Sequence, residues 1–103
     1  MQKLNAAKTR LAESLINKVN QPLSALTATL ARPHILLLPA SIKTTGETIL
    51  SELADIHKMC KMVVEDPSSD IELLTIKELT TKIGHAKKFD ALLSGMAASV
   101  AQR

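Results

Sequence analysis

An all-α antiparallel bundle is the fold this sequence predicts, built from three long helices and one short helix and completed by dimerisation. Three observations carry that prediction. Aliphatic residues recur at three- and four-residue steps through most of the chain, the period of helices with one buried face. Prolines at 22, 33, 39 and 67, together with two Ser/Thr-x-x-Glu boxes, punctuate those runs where helices should stop and start. Strand signals are weak: Phe89 is the single aromatic residue, and Trp and Tyr are absent.

The first helix is expected over residues 2 to about 19. Leu4, Ala7, Leu11, Leu15 and Val19 form its apolar stripe, widened by Ala12 and Ile16, while Lys3, Lys8, Arg10, Glu13 and Lys18 take the other faces. Asn20-Gln21-Pro22 is read as an interruption, because proline lacks an N–H and suits a first helical turn. A short helix carrying Leu23, Leu26 and Leu30 then follows and ends by Arg32, the residue that Pro33 pushes out of the α region. A single kinked helix through Pro22 is the alternative.

Thr44-Thr45-Gly46-Glu47 matches a capping box and opens the third helix. Ile49, Leu53, Ile56, Cys60 and Val63 follow in four-three alternation, a seam that extends back to Gly46 and Ile42. Leu50, Ala54 and Val64 broaden the seam beyond a two-stranded contact, and Glu65-Asp66-Pro67 ends it. A second box, Ser69-Asp70-Ile71-Glu72, is expected to open the last helix. Its stripe is Ile76, Leu79, Ile83, Ala86, Phe89, Leu93, Met96 and Val100. A helix over 69–101 would be about 50 Å long at 1.5 Å per residue, whereas a compact domain of this size is ~33 Å across. The helix must therefore break at Gly84 or Gly95, or overhang and pack on another chain. The stripe keeps its register past both glycines, which favours overhang.

The chain has 103 residues, read as a single domain over 1–103. Such a chain buries roughly two thirds of its unfolded surface. Without aromatic rings, which bury about 150–250 Å² each, the core must come from densely lined helices and from burial against a second copy. Thirteen basic and ten acidic residues are mostly interspersed and leave a net charge of +3. That balance favours an acidic partner and falls short of a nucleic-acid footprint. The lone Cys60 excludes an intrachain disulfide and gives no oxidising-compartment signature. With no apolar h-region near the start and no run of the ~20 apolar residues that a bilayer span requires, a cytoplasmic location is expected.

Residues 32–41, Arg-Pro-His-Ile-Leu-Leu-Leu-Pro-Ala-Ser, set four aliphatic side chains between two prolines. They read either as a buried crossover plugging the bundle or as an exposed ridge for a partner. Ile35, Leu36, Leu37 and Leu38, with Leu92, Leu93, Met96 and Val100 on the last helix, are the candidate apolar contacts. Lys77, Lys82, His85, Lys87 and Lys88 are a candidate patch for an anionic partner, with a solvated helix face as the plain alternative. Nucleic acid would bind there weakly and through its backbone alone, since no aromatic platform is available for stacking.

His57 and Cys60 are neighbours on one helical face, but a single loose pair is not a zinc pattern. A seam thiol lacks the access that a nucleophile needs. No glycine-rich phosphate loop or nucleophile elbow is present, and the scattered carboxylates Asp55, Glu65, Asp66 and Asp90 form no evident pair. No cofactor, metal or catalytic residue is expected. The reading is a non-catalytic adaptor, chaperone or inhibitor, working as a homodimer that offers an aliphatic helix face or groove to a protein. An accessory nucleic-acid-binding protein using residues 82–88 is the second reading.

Overall fold

The computed structural model describes residues 2–102, with side chains described from Ala6 to Val100 and at Gln102. Helix α1 spans Gln2–Leu30, α2 Ala40–Glu65 and α3 Ile76–Ala101, and a 3-10 turn over Pro33–Leu37 links the first two. No strand occurs among the described residues.

The core has two layers along the rod. The first joins Ala12, Leu15 and Val19 of α1 with Leu53, Ile56, Cys60 and Val63 of α2 and Leu79 and Ala86 of α3. The second joins Leu26 of α1, Ile35 of the turn, and Leu93 and Ala97 of α3. Ile42, Ile49 and Leu50 of α2 pack against this second layer. Residue numbers therefore rise in the same direction along α1 and α3 and in the opposite direction along α2, an up-down-up bundle. The rod measures 60 × 18 × 17 Å and has a radius of gyration of 16.3 Å, against about 13 Å for a compact domain of this length.

Three expected boundaries are corrected. Pro22 lies inside α1 and starts no separate short helix. An internal proline removes one ladder hydrogen bond and crowds the carbonyl four residues back, a cost of about 3 kcal/mol. Burial outweighs that cost, because the seam runs through the proline in step: Leu15, Val19 and Leu26 are all fully enclosed. Helix α2 begins at Ala40, one turn before the expected Thr44 box, with Pro39 as an N-cap that makes no side-chain bond. Thr44 already acts as an interior residue, its carbonyl accepting from Thr48 Oγ1 at 3.0 Å. Packing of Ile42 against the second core layer accounts for the extra turn.

Helix α3 starts later than expected. Its N-cap is Thr75, whose Oγ1 accepts from the Glu78 backbone N–H at 3.1 Å. Ser69 lies in a non-helical segment over 66–75. Asp66 Oδ1 accepts from the Ser68 N–H and from Ser68 Oγ, and Lys8 Nζ donates to the Ser69 carbonyl at 2.8 Å. Ile71, Leu73 and Leu74 of this segment pack on the first core layer. The helix is then unbroken through Gly84 and Gly95. Ile76, expected in the buried stripe, is exposed.

Candidate protein-docking surface

The proline-flanked segment divides between buried and exposed positions. Arg32 is held extended before Pro33, and the chain then makes a 3-10 turn, with the Ile35 N–H donating to the Arg32 carbonyl and the Leu38 N–H to the Ile35 carbonyl. In a 3-10 helix residues three apart eclipse one another. Ile35 and Leu38 therefore turn inward together, Ile35 fully and Leu38 partly buried, while Leu36 and Leu37 are 72% and 67% exposed. Ile35 plugs the second core layer between Leu26 and Leu93.

The same division applies on α3. Leu93 is fully enclosed, Met96 and Val100 are half-buried, and Leu92 is 53% exposed. Of the eight apolar candidates, Ile35 and Leu93 belong to the core and are closed to a partner. Leu36, Leu37 and Leu92 are open, all three at the end of the rod that holds the second core layer.

The basic candidates do not gather into one cluster. Lys77, His85 and Lys88 are exposed on the outward side of α3. Lys87, two residues beyond His85, lies across the helix from it. Lys82 is half-buried, and its Nζ stands 4.0 Å from Glu52 Oε2 on α2. Lys77, Glu78, Thr81, Lys82 and His85 border a shallow depression of about 380 Å³, with Glu78 diluting its positive charge.

Two larger hollows were not foreseen. One, of about 750 Å³, is a broad groove between Ala7, Lys8 and Leu11 and residues 67–73. Its wall includes Ser69, whose buried Oγ makes no hydrogen bond. The other, of about 470 Å³, lies between α1 and α2 and is lined by Glu13, Asn17, His57, Lys61 and Glu65 with Ile16 and Val64. The outer flanks of the two apolar stripes contain these residues, but only the helix crossing brings them together. His57 faces this hollow while Cys60 is buried in the seam, so the pair does not converge on one cleft. Desolvation pushes the Cys60 thiol pKa up, away from the thiolate that a nucleophile or metal ligand requires. Among the described residues no three His, Cys, Asp or Glu side chains are grouped to hold a metal ion, and no helix is long and apolar enough to cross a membrane.

No protein-family model, curated protein or solved structure matches this chain.

Proposed function

We propose that this chain is a non-catalytic protein-binding module that self-associates and offers aliphatic surface to a protein partner, as an adaptor, chaperone or inhibitor does. The exposure of Leu36 and Leu37 carries the reading. The turn that seals the core with Ile35 needs neither neighbour for that purpose, yet both are leucines standing in solvent. Leu92 adds a third exposed aliphatic group at the same end of the rod. Apolar clusters of this kind are the anchors of helix-in-groove and subunit contacts. A cytoplasmic setting is part of the proposal; the lone Cys60, free and buried, forms no intrachain disulfide that would mark an oxidising compartment.

The nucleic-acid reading draws support only from Lys77, His85 and Lys88, which share one outward side of α3. With Lys82 beside Glu52 and Lys87 across the helix, the remaining attraction is weak and steeply salt-dependent.

The test is affinity capture from the native cell with the wild-type chain and a Leu36→Asp/Leu37→Asp variant side by side. The variant should retain helicity and melting temperature and lose the captured partner. Equal capture by both proteins would defeat the docking role of this turn.

A further inference from the structure

The two halves of α3 differ in charge. Its first half carries Lys77, Glu78, Lys82, Lys87, Lys88 and Asp90, but from Ala91 to Gln102 there is no charged side chain. The outward face of this second half is open: Ala91, Leu92, Gly95, Ala98 and Ser99 are exposed and Met96 is half-buried. Steps of three and four residues make them one continuous strip. The solvent side of an amphipathic helix is ordinarily charged or polar, so an uncharged strip on an exposed helix calls for a cover.

The surface area leaves room for such a cover. The chain exposes 6811 Å². A compact monomer of its mass, 11.1 kDa, would expose about 5,700 Å² by the usual scaling of area with mass. The excess of roughly 1,100 Å² comes with the elongated shape of the rod, and it is more than the ~800 Å² that each partner hides in a standard interface.

We propose that a second copy of this chain covers the strip, with α3 packed antiparallel on α3 of its partner about a two-fold axis near Gly95. The inference rests on the self-association proposed above and assigns its interface. A two-fold contact must be self-complementary, and an uncharged strip meets that condition without repulsion. Antiparallel packing sets Lys88 of each copy opposite Gln102 of the other, and the two Lys88 residues lie about 20 Å apart along the axis at 1.5 Å per residue. Parallel packing would place them side by side. Leu92 of each copy then falls over the small side chains Ala98 and Ser99 of the other. Gly95 has open space around the position of a Cβ, which lets the two backbones approach closely.

Light scattering on the wild-type chain at high micromolar concentration should return the mass of a dimer. Gly95→Cys, treated with a mild oxidant, should form a disulfide-linked dimer, whereas Lys77→Cys on the charged half should not; the buried Cys60 does not compete. Gly95→Glu should keep its helicity and weaken the dimer at least about tenfold, because it places an unpaired charge at the centre of the contact. A wild-type monomer would overturn the inference together with the self-association it rests on, and partner docking at Leu36 and Leu37 would stand or fall on its own variant. A dimer that neither crosslinks through Gly95→Cys nor weakens with Gly95→Glu would overturn this interface alone.

Discussion

Gly46 of α2 and Phe89 of α3 meet so closely that a Cβ on the glycine would stand 3.0 Å from Phe89 Cε1, and 2.9 Å from Leu30 Cδ2 of α1. All three helices converge there. The only aromatic ring in the chain occupies the space that a side chain at position 46 would need.

The three glycines therefore respond differently to substitution. Gly84→Ala, and Gly95→Ala in the isolated protomer, should each raise stability by up to about 1 kcal/mol, since within one chain both have open space and helical backbone. Gly46→Ala should gain nothing of this kind, and Gly46→Leu should lose about 1–3 kcal/mol to overpacking. Urea unfolding of the variants checks the order, and a Gly46→Leu protein as stable as wild type would contradict it.

Adjacent residues of the 3-10 turn should behave as opposites. Ile35→Asp puts a charge into the second core layer and should cost at least about 3 kcal/mol. Leu37→Asp should change stability by less than about 0.5 kcal/mol, as expected of a surface site. Thermal melts followed by circular dichroism distinguish the two.

Of Thr44 and Thr75, only Thr75 should matter as a cap. Thr75→Ala removes the acceptor for the Glu78 N–H and should cost about 1 kcal/mol. The same change at Thr44, expected from sequence to be a cap, should cost markedly less because that residue is inside α2. Comparable losses at both positions would place the start of α2 at Thr44 after all.

Burial of Cys60 should make the fold sensitive to alkali. Its folded thiol pKa is raised by burial above the ordinary 9.0, so its contribution is fully present below about pH 9 and is lost as the pH climbs through the folded value. Over that interval the unfolded chain releases the thiol proton while the folded chain keeps it. Stability measured against pH should fall more steeply above pH 9 in wild type than in Cys60→Ala. Parallel curves would show that the thiol is not shielded.

The helical class and the α2 seam were legible because periodicity reports which face is buried, and burial dominates the energetics. Gly46, Leu53, Ile56, Cys60 and Val63 of that seam are buried, while Ile42 and Ile49 are half-buried against the second core layer. Boundaries were less legible, because each depends on competition between local and distant contacts. Pro22 is a local stop signal overridden by the enclosure of Val19 and Leu26 on either side of it. The Ser69 box satisfies the local rule but yields to Thr75, because Ile71, Leu73 and Leu74 are drawn onto the first core layer. Between Pro33 and Pro39, four consecutive apolar residues carry no periodicity of their own. Only the 3-10 geometry decides that Ile35 enters the core while Leu36 and Leu37 remain outside.

A particle more than three times as long as it is wide meets extra frictional drag. It will sediment slowly and elute early from a sizing column for its mass, so even one protomer on its own will pass for something larger. Every claim about its stoichiometry has to come from a shape-independent weighing.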